Sequence, residues 1–103
     1  MRKLGNLQLE VLLAAVVAGR RVTASRIYDK IADANGKEDT PGFAPVYTTV
    51  MRLADKGFLT LEAGEDETGR QRKLFTVSAE GRSAIERSTK TMRALNAPGF
   101  APG

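Results

Sequence analysis

Polar side chains recur along one side of residues 44–59, a stretch with the pattern of an amphipathic helix. Val46, Val50 and Leu53 follow the i, i+4, i+7 spacing and form its apolar face. Hydroxyl, guanidinium and ammonium groups are hydrogen-bond donors, so the opposite arc suits an anionic or hydrogen-bonding partner. That arc carries two hydroxyls, two cations and one acid: Thr48, Thr49, Arg52, Asp55 and Lys56.

Both ends of this predicted helix carry local signals. Pro45 suits the first helical turn, where its missing N–H costs nothing. Gly57 suits the left-handed residue after the helix, and Lys56 is favourably placed in the last turn. Taken alone, the stretch also fits an ordinary amphipathic helix with a solvated polar face.

Composition excludes most catalytic chemistry. The 103 residues contain no Cys and no His, which removes thiolate metal sites, disulfides and the usual general base near neutral pH. No nucleophile–base constellation, phosphate loop or plausible carboxylate dyad is present. We therefore expect a single domain that is not an enzyme and needs no cofactor or metal.

Net charge and hydropathy indicate the kind of partner and the cellular compartment. The net charge is +4 and the pI is near 9.8, which favours a polyanionic partner. The longest apolar run, residues 11–18, is too short to span a bilayer and lacks the layout of a signal peptide. We expect a cytoplasmic protein that does not contact a membrane.

Two further helices are predicted before residue 36. The first is capped by Asn6, runs through Ala18, and is apolar around much of its circumference, so a neighbour in its own or a second chain must bury it. The second is capped by Thr23 and runs to about Ala34. Residues 37–45 form a polar loop, which we expect Phe43 to anchor to the core.

After Gly57 the pattern changes to strands. One strand is predicted to start at residues 58–61, with a turn at 64–69 and a returning strand at 70–77. Ser78 then caps a last helix from Ala79 to about Leu95. This helix carries a weak seam of alternating four and three spacing: Gly81, Ile85, Ser88, Met92 and Leu95.

The order helix, helix, helix, hairpin, helix predicts a mainly α fold with a small β-hairpin. It is a winged helix-turn-helix (residues 1–77) followed by a C-terminal dimerisation helix (78–96) and a flexible tail (97–103). In such folds one helix enters the major groove of DNA while the wing meets phosphates. The candidate DNA-binding residues, including the outward-facing start of the second helix, are Thr23, Ser25, Arg26, Thr48, Thr49, Arg52, Lys56, Arg70, Arg72 and Lys73.

Two stretches, residues 46–59 and 69–81, resemble the PadR family of bacterial transcriptional regulators. The first is similar to the family pattern Leu-Tyr-x-x-Leu-x-x-Leu-x-x-x-Gly-Leu-Leu, and the second to its wing and the following helix start. The resemblance implies that Tyr47 contacts a DNA phosphate. The family's His-Gly-Tyr is replaced by residues 23–25, Thr-Ala-Ser, and the single short last helix implies the one-helix branch.

A domain this small reads few base pairs, so two copies are expected on one site. We expect a homodimer that acts as a repressor on a pseudo-palindromic operator, with recognition helices about 34 Å apart. The sequence identifies no small-molecule effector. The candidate dimer residues lie on the first and last helices: Leu9, Leu12, Leu13, Ile85, Met92 and Leu95.

Two alternatives stay open. A winged-helix module for protein interaction is favoured if Asp55 and the acids at 65–67 neutralise the basic surface. A penicillinase-repressor-like regulator is the other, because residues 47–50, Tyr-Thr-Thr-Val, are also similar to the recognition helix of that family.

Overall fold

The computed structural model describes residues 4–95, with the side chains of residues 4–6 and 92–93 outside that description. The predicted tail at 97–103 also lies outside the described residues. The fold is mainly α with one antiparallel two-stranded sheet, as the sequence predicts. In order, its elements are α1 (Leu4–Ala18), α2 (Ala24–Asn35), a 3₁₀ turn (Lys37–Asp39), α3 (Phe43–Asp55), β1 (Leu59–Glu65), β2 (Gln71–Val77) and α4 (Ala79–Leu95).

The core lies between the first three helices and the base of the hairpin. Val46, Val50 and Leu53 are fully buried in it, which confirms the predicted apolar face of α3. The link between α1 and α2 is tied to the sheet, since Val22 and Phe75 exchange backbone hydrogen bonds of 3.0 and 2.7 Å. This third short strand segment fixes the hairpin against the helices.

Both ends of α3 are defined by glycines. Gly42 is its N-cap, so the helix begins at Phe43 and the predicted loop ends three residues earlier than expected. At the other end Gly57 has φ 86°. Its N–H donates to the Ala54 carbonyl at 3.0 Å, and the Phe58 N–H reaches back to Leu53 at 2.9 Å, which is a Schellman motif.

Two predicted boundaries were wrong. The first helix begins at Leu4, so Asn6 lies inside it and is not its cap. Strand β1 runs to Glu65, so residues 64 and 65 lie in the strand and not in the predicted turn, because they pair in register with β2. The outer part of this ribbon is exposed, so pairing continues there without an alternating apolar pattern.

Ser78 connects the end of α3 to the start of α4. Its Oγ accepts from the Gly81 N–H at 3.0 Å, as predicted for an N-cap, and donates to the Gly57 carbonyl at 2.5 Å. Gly81 is buried where α4 crosses the backbone of Phe58. This residue therefore packs within its own chain and does not belong to an exposed seam.

Gly81→Ala is expected to destabilise the fold. A Cβ at this position would lie well inside contact distance of the Phe58 carbonyl oxygen and 2.8 Å from Val77 Cγ1. Overpacking of this kind costs about 1–3 kcal/mol, which lowers the melting temperature of a small domain by roughly 4–8 °C per kcal/mol.

Thermal unfolding followed by circular dichroism measures this effect, with Ser83→Ala on the exposed side of α4 as the control. A higher melting temperature for Gly81→Ala would contradict the close packing, because alanine is the better helix former wherever space allows.

Candidate nucleic-acid interface

A groove of about 370 Å³ opens where the first turn of α2, the start of α3 and strand β2 meet. Five of the predicted DNA-binding residues line it, and they come from three separate elements. The lining residues are Thr23, Ala24, Ser25, Phe43, Tyr47, Gln71, Arg72, Lys73 and Phe75. The fold thus brings together polar groups that are up to 50 residues apart in the sequence.

Lys73 links β2 to α3. Its Nζ lies 3.4 Å from the hydroxyl of Tyr47, which is half-buried on α3. An ammonium group has three donor positions, so contact with one hydroxyl leaves donors for a further acceptor. The two side chains therefore present a cation and a hydroxyl at one point on the rim.

The Tyr47 ring belongs to a cluster of three aromatic side chains. The Phe43 ring is 5.7 Å from Tyr28 in an edge-on arrangement and 5.9 Å from Tyr47 in a tilted one. Phe43 is nevertheless 42% exposed, so the expectation that it anchors a loop to the core was wrong. It lies in the first turn of α3 and packs against the two tyrosines at the surface.

The structure corrects the assignment of Thr49. Its side chain is only 8% exposed, and its hydroxyl donates to the Pro45 carbonyl at 2.9 Å. At roughly 100° per residue, Thr49 lies about 40° from the buried Leu53. The polar arc was therefore drawn too wide, and Thr49 is not available to a ligand.

The other polar residues predicted on α3 are at the surface: Thr48, Arg52 and Lys56 are exposed. Asp55 is exposed as well, but within residues 4–95 no ion pair joins it to Arg52. On α2, Ser25 and Arg26 are exposed, whereas the Thr23 hydroxyl caps the helix by accepting from the Arg26 N–H at 3.2 Å. Arg26 lines a neighbouring depression and not this groove.

Asp66 organises the tip of the wing. One of its carboxylate oxygens accepts from the Thr68 hydroxyl and the Thr68 and Arg70 amides, and the other lies 3.3 Å from the Arg72 guanidinium. The Thr68 hydroxyl first, and then the amides and Arg72, lower the pKa of Asp66 to about 2. The carboxylate is therefore charged near neutral pH and offsets Arg72, which leaves Arg70 and Lys73 as the cations without such a neighbour on β2 and its turn.

Sequence reasoning missed Phe43 and Gln71 as groove residues. Gln71 is two positions before Lys73 on β2, and side chains two apart in a strand share a face. That period was available in the sequence. Phe43 carries no such signal, because the sequence pattern predicts that α3 starts after it.

Five of the six predicted dimer residues have described side chains, and these differ in exposure. Leu13 and Leu95 are 44% and 52% exposed, whereas Leu9 and Ile85 are half-buried. Leu12 is 3% exposed in the core of its own chain, so its assignment to a dimer surface was wrong. The side chain of Met92 is outside the described residues.

The outer side of α1 carries two more exposed apolar side chains, Val16 (36%) and Val17 (70%). A groove of about 880 Å³ runs between α1 and α4 and contains Leu13, Val16 and Ile85 beside charged side chains of α4. Within residues 4–95, none of the helices is both long and apolar enough to cross a membrane.

Three packed helices with a β-hairpin beside an exposed polar face of the third define a winged-helix protein. The model of the transcriptional regulator PadR-like family matches residues 12–87, and the chain belongs to this family. The sequence resemblance to PadR regulators is thereby confirmed. No curated protein matches the chain.

Solved structures agree on the fold. A PadR-like transcription factor from Bacteroides fragilis has 23% identity over 85% of this chain and 82% of its own, with a TM-score of 0.66. F93 from the virus STIV, a winged-helix DNA-binding protein, has 15% identity over 94% and 98%, with a TM-score of 0.68. Bacillus subtilis PadR in complex with operator DNA has 16% identity over 79% and 46%, with a TM-score of 0.62.

Proposed function

We propose that this chain is a cytoplasmic, sequence-specific DNA-binding regulator that represses transcription as a homodimer on a pseudo-palindromic operator. The observation that carries the proposal is the contact between Lys73 and Tyr47, which joins the wing to α3 in a groove that both residues line. The B. subtilis relative is described with operator DNA on the same fold.

Each group has a role on DNA that follows from its chemistry. Thr48 and Arg52 project from α3 toward the major groove, where a guanidinium can make two hydrogen bonds to a guanine. Tyr47 and Lys73 share one phosphate, which fixes the register of α3 without reading sequence. Arg70, exposed at the wing turn, meets the backbone beside the groove.

The uneven covering of α1 supports the proposed homodimer. Its inner side is buried in the core by α2, α3 and the hairpin, whereas Leu13, Val16 and Val17 stay exposed on the outer side. A second copy that covers this side along α4 would bury it and place two recognition helices on one face of the DNA, about 34 Å apart.

Fluorescence anisotropy tests the proposal directly. The protein is titrated onto DNA from upstream of its own gene and onto random duplex, at two salt concentrations, with its mass measured by light scattering. We expect tighter binding to the upstream DNA, a dimeric mass and an affinity that falls with salt. Failure to bind either duplex at low salt would favour a protein-interaction module.

Lys73→Ala is expected to weaken binding to operator and random duplex by a similar factor. A phosphate contact carries no sequence information, so the slope of log affinity against log salt concentration should fall by about one. Lys37→Ala removes the same charge at the opposite end of α2 from the groove and serves as the control. A selective loss on operator alone would contradict the phosphate role.

The protein-interaction alternative draws on the pairing of Arg72 with Asp66, which lowers the positive charge of the wing. It leaves unexplained why Lys73 stays exposed on the groove and Arg52 stays exposed on α3. The family match over residues 12–87 favours the PadR-like interpretation over the penicillinase-repressor-like one.

A further inference from the structure

Phe43 is the one large apolar side chain of the groove rim that is substantially exposed in the part of the chain described. It occupies the first residue of α3, with Ser25 and Lys73 on the same groove. Its ring packs against Tyr28 and Tyr47, with ring centroids 5.7 and 5.9 Å away. The fold therefore places an exposed apolar ring beside the polar side chains of the groove.

That position matches one feature of DNA. The first residues of a recognition helix are those that reach base edges in the major groove. The edges there carry hydrogen-bond donors and acceptors, and the C5-methyl of thymine is their apolar group. A phenylalanine can contact this methyl and gains nothing from the polar atoms.

We propose that Phe43 reads a thymine in the operator through its C5-methyl group. This inference rests on the proposed DNA-binding function and extends it to the base that the start of α3 selects. The two tyrosines hold the ring in place before binding, so little side-chain freedom is lost on contact. Phe43 then supplies apolar specificity at the start of α3.

Uracil-containing DNA tests this proposal. The upstream duplex is amplified with dUTP in place of dTTP and with primers that contain uracil, which removes every thymine methyl and keeps all base pairing. We expect the wild-type protein to bind the uracil duplex more weakly, by about fourfold for each methyl that Phe43 contacts. Phe43→Ala should bind the thymine duplex no better than the wild type binds the uracil duplex, and should bind both duplexes alike.

Two further variants separate this effect from changes in folding or DNA shape. Phe43→Leu keeps an apolar side chain and should retain part of the thymine preference. Tyr47→Phe removes the hydroxyl beside Lys73 and should weaken binding to both duplexes while the ratio between them is preserved. Melting temperatures establish that each variant is folded.

Three outcomes decide the proposal. A thymine preference that disappears in Phe43→Ala supports it. Equal binding of thymine and uracil duplexes by the wild type, with selectivity over random DNA intact, overturns the role of Phe43 alone. The same thymine preference in wild type and Phe43→Ala also overturns the role of Phe43. A separate result, a wild type that does not distinguish operator from random DNA, overturns the proposed DNA-binding function itself.

Discussion

Arg52→Ala is expected to weaken binding to the operator by roughly 1–3 kcal/mol, or about five- to 150-fold, and to relax specificity at one base pair. Arg52 is exposed on α3, and no ion pair within residues 4–95 holds it against Asp55. Its planar fork matches the O6 and N7 acceptors of guanine. The affinity for random duplex should fall only by the amount that the loss of one positive charge causes.

The conservative variant Arg52→Lys tests the geometry of this contact. Lysine keeps the charge but lacks the planar fork, so it should keep the salt slope and lose most of the discrimination. Anisotropy titrations of operator and single-base variants, at fixed salt, measure both quantities. If Arg52→Lys discriminated as well as the wild type, Arg52 would be a phosphate contact and not a base contact.

Leu13→Asp is expected to convert the proposed dimer to a monomer. Leu13 is 44% exposed on the outer side of α1 and lines the groove against α4, so an aspartate there would bury an unpaired charge in the interface. Loss of the second copy removes the gain from binding two half-sites together. The affinity for the operator should fall by a factor of about 10²–10⁴.

Light scattering measures the mass of this variant at several concentrations. Leu61→Asp is the matched control, because Leu61 is 42% exposed on β1, away from α1 and α4. It should keep the mass of the wild type. A dimeric Leu13→Asp protein with unchanged operator affinity would refute the proposed dimer surface.

Local signals made the framework predictable. Thr23 and Ser78 cap their helices as predicted, because a hydroxyl before an apolar-periodic run satisfies free helix N–H groups. Gly57 ends α3 with positive φ, which glycine adopts without a steric penalty. The core face of α3 follows from helical spacing alone.

The details of the candidate site depend on packing that the sequence does not encode locally. Whether Leu12 or Leu13 faces inward depends on which side of an apolar helix its neighbours cover. The neutralisation of Arg72 requires the wing turn that brings Asp66 to it. The contact of Lys73 with Tyr47 spans 26 residues and exists only once the hairpin folds back on α3.

The hydrogen bonds of Ser78 have a mechanical consequence. One hydroxyl bonds both to the Gly57 carbonyl at the end of α3 and to the first turn of α4, and so couples the orientations of these two helices. The α4 helix, at 17 residues, is about 25 Å long. In the proposed homodimer, the angle between the α4 helices of the two copies sets the rotational positions of the two recognition helices around the DNA axis. One base pair inserted between the half-sites turns one of them by about 34°, so the tolerated operator spacing is a measure of the stiffness of that joint.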